Sequence, residues 1–216
     1  MPNWCNNHVT ISHKDPREIQ RINDAFYNKK ELFGEFFPTP KELLIDACPG
    51  TDNAEMLKQY AANREKFGFE TWYYWNVANW GTKWDVECDS GDTAQELSDD
   101  CTEIKLYFDT AWAPPIQWYE QMRDIGFTIQ GFYHESGMTF VGCWEDGVDD
   151  YYEYESLNSN DIESRLPPYI VKEFDLAAMV SEWEQTSDLD LDDEDETMGS
   201  GMDSDSDEDE PTTNLS

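Results

Sequence analysis

The chain has 216 residues, of which 48 are Asp or Glu and 14 are Lys or Arg, giving a net charge of −34 and a pI near 4.1. This length suits one hydrophobic core followed by a tail. Such a negative field repels nucleic-acid phosphates and anionic membranes and attracts basic surfaces. It argues against direct nucleic-acid binding, which also needs clustered Lys and Arg. No apolar run approaches the roughly 18 residues that cross a bilayer.

The five cysteines match no zinc pattern, because the sequence has neither a CxxC pair nor spaced histidines. No signal peptide is recognisable at the amino terminus. These features predict reduced thiols, no metal or other cofactor, no membrane association and a location in the cytoplasm of a host cell.

The first elements predicted along the chain are a strand and a helix. Residues alternate around Val9 and Ile11 with the period of a half-buried strand. Asp15 then caps a helix with Pro16 in its first turn, and apolar residues recur at helical spacing through Asn28. This pair predicts the first half of a βαβ unit.

Residues 32–82 are predicted to be an insertion between this helix and the second strand. Two prolines and a glycine oppose a helix at 32–40. A surface helix is predicted at Ala54–Phe67, with Thr51 or Asp52 as its cap.

An aromatic-rich segment, WYYWNVANWGTKWD, follows at residues 72–85 and holds four tryptophans and two tyrosines. Its end predicts a turn at Gly81, in a conformation that favours glycine, leading into a strand at 83–88.

The second half repeats the pattern. Strands are predicted at 103–109 and 127–134, separated by a helix that Pro114 and Pro115 open and Gly126 ends. A further strand at 138–145 is predicted to pair with 127–134. Residues 89–100 are predicted to form a turn-rich loop, and 146–155 an exit from the sheet.

This order predicts the α+β class and a ferredoxin-like sandwich, with an antiparallel sheet, helices on one face, an aromatic-rich insertion and an extra strand. The predicted domain spans 1–186 and ends in a helical extension at about 156–186. Residues 187–216 contain thirteen acidic residues and no Lys or Arg, which predicts a disordered tail. Residues 1–186 still carry 35 acidic against 14 basic residues, a net −21.

Four separated motifs carry a family resemblance: MPNWCNN at the start, PTP at 38–40, NWGTKWD at 79–85 and TAWAPP at 110–115. In this order they resemble the YubB ferredoxin-like family of bacteriophages and conjugative plasmids. The resemblance covers about residues 1–145. It implies the ferredoxin-like fold and a mobile-element origin, and no established reaction or cofactor.

Two sets of residues are candidates for function. Tryptophan and tyrosine dominate the binding energy of protein interfaces. The candidate partner or ligand face is therefore Trp72, Trp75, Trp80, Lys83, Trp84, Asp85 and Trp112. Packing in a core is the competing role for these rings. The candidate acidic surface is Asp146, Asp149, Asp150, Glu153 and Glu155.

No catalytic motif stands out. Cys5 and His8 lie three positions apart on a predicted strand and so face opposite sides. Reactive thiols also need a positive environment that this sequence lacks. Acidic pairs are too numerous for any one to indicate acid–base chemistry, and no calcium-binding loop is present.

The leading hypothesis is a non-enzymatic interaction protein that mimics nucleic acid and blocks a basic, nucleic-acid-binding site on a host restriction, recombination, transcription or defence protein. A second hypothesis is a small ligand-binding domain or enzyme, with a pocket lined by His8, Trp80, Lys83, Asp85 and Trp112. A third is that the acidity serves only solubility.

Overall fold

The computed structural model describes residues 3–29, 31–86 and 94–195. A six-stranded antiparallel sheet forms its centre. The strands are β1 (Trp4–Ser12), β2 (Ala94–Leu97), β3 (Glu103–Ala111), β4 (Thr128–Glu135), β5 (Phe140–Glu145) and β6 (Val148–Glu153). They lie in the order β2-β3-β1-β4-β5-β6. The first four strands therefore have the ferredoxin-like arrangement, with β1 and β3 at its centre, and the predicted α+β fold is confirmed.

The helices, in chain order, are α1 (Pro16–Asp24), α2 (Leu32–Phe36), α3 (Ala54–Phe67), α4 (Trp72–Trp80), α5 (Ile116–Asp124), α6 (Ser159–Arg165), α7 (Pro168–Glu173) and α8 (Leu176–Asp195). A π-helical turn at Ala25–Lys29 extends α1, and a 3-10 turn lies at Lys41–Leu43.

The main core lies on one face of the sheet, where α1 and α5 pack as predicted. Alternate residues of the central strands, such as Val9 and Leu106, are buried there against Ile22 and Trp118. Both helix boundaries follow their sequence signals. Asp15 accepts the N–H of Arg17 at the start of α1, and the chain leaves α5 near Gly126, which has φ +106°.

A second core lies on the opposite face, where the C-terminal helices cover β5. Val141 and Cys143 pack there with Ile162, Ile170 and Leu176. The ferredoxin-like half thus has its helices on one face, and the helical extension covers part of the other. α8 continues to Asp195, across the predicted boundary between residues 186 and 187. Residues 196–216 of the predicted tail lie outside the described residues.

The second strand is not where the sequence predicts it. Residues 83–86 are irregular, and β2 occupies Ala94–Leu97, inside the stretch predicted as a loop. The physical reason lies with Asp85, whose carboxylate accepts the N–H groups of Phe33 and Gly34 at 2.8 and 2.7 Å. These bonds attach the segment to α2 rather than to the sheet. Residues 87–88 of the predicted strand lie outside the described residues.

The same contacts explain α2, which the sequence analysis predicts as non-helical. A distant carboxylate satisfies two N–H groups that a five-residue helix leaves free at its start, and α2 ends before Pro38. The predicted helix α3 is confirmed, but its cap is Asn53, whose side chain accepts the N–H groups of Glu55 and Met56. Neither Thr51 nor Asp52 takes this role.

The sheet has two added strands instead of one. β5 confirms the predicted extra strand, but residues 146–155 do not leave the sheet, because β6 forms a hairpin with β5. Asp146 and Gly147 connect the two strands with φ of +49° and +90°. An Asp-Gly pair between alternating residues is a strong hairpin signal, and it lies inside the segment predicted as an exit from the sheet.

Candidate functional site

The four separated motifs meet at one end of the sheet. The Trp112 N–H donates to the Asn3 carbonyl at 3.0 Å, which joins the TAWAPP segment to the chain start. Thr82 Oγ1 donates to the carbonyl of Ala111 at 3.1 Å. Asn76 accepts from Thr39 Oγ1 at 2.6 Å and donates to the Lys83 carbonyl at 2.8 Å. The Asn76 and Thr82 side chains, with this one backbone hydrogen bond, thus connect all four segments.

Gly81 lies at the closest approach between these segments. It ends α4 with φ +92°, so the predicted glycine conformation is confirmed. A Cβ at this position would lie 2.9 Å from the Pro114 carbonyl oxygen and 3.0 Å from the Ile116 nitrogen. Both are backbone atoms of the α5 start, so only glycine lets the two segments pack this closely.

Three tryptophan rings and one lysine are brought together above this junction. Trp4, Trp84 and Trp112 are 45%, 42% and 46% exposed. The ring centres of Trp4 and Trp84 lie 6.2 Å apart. Lys83 Nζ lies 3.8 Å from the centre of the Trp84 ring and 6.0 Å from that of Trp112. We call Trp4, Lys83, Trp84 and Trp112 the tryptophan patch.

Trp112 adopts an unusual backbone conformation within the tryptophan patch. Its φ is +74°, a region that costs a bulky L-residue roughly 1–2 kcal/mol. In this conformation the Trp112 N–H donates to the Asn3 carbonyl, while the ring is left partly in solvent. Strain at an exposed aromatic side chain is typical of a functional position.

Of the remaining candidates in the aromatic segment, Trp80 and Trp75 serve packing, and Trp72 lies outside the tryptophan patch. Trp80 is 5% exposed and its indole N–H donates to the Phe37 carbonyl at 2.9 Å. Trp75 is half-buried and meets the Trp80 ring edge to face. Trp72 is half-buried and contacts the ring of Tyr73 instead. The structure therefore divides the predicted face into a packed part and the exposed tryptophan patch.

Asp85 anchors the segment and is half-buried, with its carboxylate turned to backbone N–H groups. Besides Phe33 and Gly34, its carboxylate accepts the N–H of Val86 at 2.8 Å. Burial raises the pKa of Asp85 to about 6, against the lowering effect of these three hydrogen bonds. This is the environment of a structural carboxylate.

His8 lies on the other face of the sheet, in an open groove of about 570 Å³. Its Nδ1 is 2.8 Å from the Glu173 carboxylate of α7. The His8 ring lies against those of Tyr107 and Phe174. Trp80 is buried in the core of the opposite face. The five residues of the predicted pocket therefore do not line one cavity.

Cys5 is buried, and burial, followed by the charge of Glu135, raises the pKa of its thiol above the ordinary value. This confirms the interpretation of Cys5 as a buried strand cysteine. Within the part of the chain that the structure describes, no group of three or more His, Cys, Asp or Glu is placed to hold a metal ion.

The predicted acidic surface lies along β6 and its turn. Tyr133 Oη donates to Asp149 at 2.6 Å, Tyr169 Oη to Asp150 at 3.1 Å, and Tyr151 Oη to Glu153 at 3.1 Å. Asp146 in the turn and Glu155 after the strand are exposed. Three of the five carboxylates are thus oriented by tyrosine hydroxyls.

Sequence reasoning missed Trp4 as a site residue. The signal was present, because an antiparallel pairing of the first strand with 103–111 places Trp4 opposite Ala111, beside Trp112.

Among residues 3–29, 31–86 and 94–195, no helix combines the length and apolar character needed to cross a membrane.

Comparisons with known proteins add little to this description. No family model matches the chain, and no curated protein is similar to it. Among solved structures, it is similar to the crystal structure of a protein api92 from Yersinia pseudotuberculosis, described with the family-model DUF1281. The two share 10% identity over 72% of this chain and 99% of that chain, with a TM-score of 0.36. The fold assignment given above rests on the strand order alone.

Proposed function

We propose that this protein is a non-enzymatic interaction module that binds a basic protein and uses the tryptophan patch as its anchor. The observation that carries the proposal is the exposure of three tryptophan rings, two of them beside Lys83, on a junction joined by hydrogen bonds. Rigid, partly exposed tryptophans lose little conformational freedom on binding and dominate interface energies.

Charge selects the partner. The net −21 of residues 1–186 steers a basic surface toward the molecule. The oriented carboxylates of β6 would meet that surface without first having to be ordered. A basic surface that normally holds nucleic acid has the matching chemistry, so the target we favour is a nucleic-acid-binding protein of the host cell. In the mobile-element setting that the family resemblance implies, binding would block that site.

The proposal is tested by capture on the immobilised full-length chain from host lysate at about 50 mM and 1 M salt. We expect a basic protein to be retained at low salt and released at high salt, where charges are screened within about 3 Å. Trp84→Ala should weaken its binding about 30-fold or more, as expected for a central interface tryptophan.

Trp183 provides the matched control. It is 44% exposed on α8 and is not part of the tryptophan patch, so Trp183→Ala removes a ring of similar exposure and should leave capture unchanged. Equal capture by wild type and Trp84→Ala would contradict the proposed anchor. Absence of any salt-sensitive basic partner would contradict the function itself and favour a purely solubilising role for the acidity.

A further inference from the structure

We propose that β6 accepts a basic, extended segment of the partner as a seventh strand of the sheet. This inference rests on the proposed function, because it takes the partner to be a basic protein. It concerns the β6 edge of the sheet, a different surface from the tryptophan patch, so the two can fail separately.

The backbone of β6 is open along one side. β6 is the last strand in the order of the sheet. Residues of an antiparallel hairpin alternate between pairs that exchange hydrogen bonds and pairs that do not. A two-residue turn makes Glu145 and Val148 a bonded pair, and the bond from the Tyr154 N–H to the Thr139 carbonyl continues the same alternation.

It follows that the residues between the bonded pairs turn their N–H and C=O groups away from β5. These residues are Asp149, Tyr151 and Glu153. All three are exposed, and no strand within the described ranges of the chain pairs with this side of β6. Such a row of backbone groups is a template for an added strand.

Charge identifies the occupant of this edge. The side chains of Asp149 and Glu153 point to one face of the sheet and that of Asp150 to the other, so carboxylates border the edge on both sides. An incoming strand with Lys or Arg at intervals would place opposite charges across from them, which is stabilising in a sheet. A second copy of β6 would place carboxylates opposite carboxylates, which is destabilising.

The edge carries no other obstacle. β6 is six residues long without proline, and Val148 and Tyr151 are 62% and 48% exposed. Proline, bulges and lysines are the usual means of closing an edge strand. The charged side chains along β6 are all negative. They repel a second copy of β6 and attract a basic strand.

A capped decapeptide of alternating lysine and threonine, titrated into the full-length protein at low salt, tests the proposal. We expect it to bind and to slow amide hydrogen exchange at Asp149, Tyr151 and Glu153 by at least tenfold. The same peptide, N-methylated at two adjacent central residues, keeps its charge but loses a backbone donor on each edge. It should bind at least tenfold more weakly, and a glutamate–threonine peptide should not bind.

A pair of variants separates the backbone from the side chain. Tyr151→Pro removes an outward N–H without removing a bond to β5, and it should weaken peptide binding at least tenfold. Tyr151→Thr keeps the N–H and should bind as the wild type does. If Tyr151→Pro fails to fold, the exchange and N-methylation measurements still decide.

Equal binding of the methylated and unmethylated peptides, or unchanged exchange at the three amides, would overturn strand addition. Salt-independent dimerisation of the protein through β6 in sedimentation would also overturn it. Trp84→Ala should leave peptide binding intact. Capture of a basic partner with no peptide binding would therefore refute strand addition and leave the proposed function standing.

Discussion

The carboxylate of Asp85 accepts the backbone N–H of Phe33 at 2.8 Å, although 52 positions separate the two residues. Together with the bond to Gly34, this contact starts α2 and holds the segment below the tryptophan patch. The Asp85 carboxylate is largely removed from water, which raises its pKa to about 6.

The first prediction concerns the pH dependence that this burial creates. An unfolded Asp ionises near pH 3.9, so the folded protein holds this proton more tightly between about pH 4 and 6. The contribution of Asp85 to stability therefore falls as the pH rises through that window. We expect the unfolding free energy of the wild type, minus that of Asp85→Asn, to fall by on the order of 2 kcal/mol from pH 4 to 7. Urea unfolding at both pH values measures it, and a constant difference would contradict it.

His134 should give the opposite dependence. Its Nε2 lies 2.6 Å from Tyr154 Oη, and its ring lies against Phe174, next to α8. Burial, and then the charge of His8, lowers the pKa of His134 to about 4. An unfolded His titrates near 6.5, so stability is lost as the pH falls from about 6.5 to 4.

His134→Gln keeps a polar partner for Tyr154 and cannot be protonated, so it isolates this effect. We expect acidification from pH 7 to 4 to destabilise the wild type by on the order of 2 kcal/mol more than the variant. Chemical denaturation at the two pH values measures the difference. Equal acid sensitivity of the two proteins would show that His134 titrates in the folded state as it does in the unfolded chain.

The positive φ of Trp112 should lower the stability of the folded protein. Glycine adopts a φ of +74° without the penalty that any L-residue pays. Trp112→Gly and Trp112→Ala both remove the ring, so their comparison isolates the conformation. We expect the glycine variant to be more stable than the alanine variant by about 1 kcal/mol in thermal or urea unfolding. An alanine variant of equal or greater stability would mean that the positive φ is not retained.

Gly81 is the position where an added methyl group should cost most. Gly50 is its control, because both glycines have positive φ, +92° and +76°, yet a Cβ at Gly50 would meet nothing within 4 Å. Gly50→Ala should cost about 1 kcal/mol. Gly81→Ala should cost at least about 1 kcal/mol more, since its Cβ meets backbone atoms that cannot turn aside. Similar losses in both variants would show that the α5 start moves away without cost.

The sequence predicts well those elements whose signals are local. Asp15 with Pro16 and the Gly126 stop define α1 and α5, and alternation defines β1, β3 and β4, which together fix the ferredoxin-like order. Prediction from the sequence fails where a residue far away in the chain determines the local structure. Nothing near Phe33 indicates that Asp85 will cap it, and the alternation of 83–86 cannot show that this segment is held away from the sheet.

The site is divided for a similar reason. Composition identifies the aromatic segment, but only the register of β1 with β3 places Trp4 beside Trp112, and only tertiary packing brings Trp84 to Trp4 and buries Trp80. The β6 hairpin escapes prediction for a different reason. Its Asp-Gly signal is local and readable, but the density of acids around it suggests an exit from the sheet.

The hydrogen bonds from Asn76 and Thr82 have a consequence for how such chains diverge. Thr82 bonds a main-chain carbonyl of the TAWAPP segment, and Asn76 bonds both the Lys83 carbonyl and the Thr39 hydroxyl, so these bonds form only while the backbone path is kept. Substitution of either residue would loosen the junction that supports the rings. In descendants of this chain, the three tryptophans should therefore be inherited or lost as a unit.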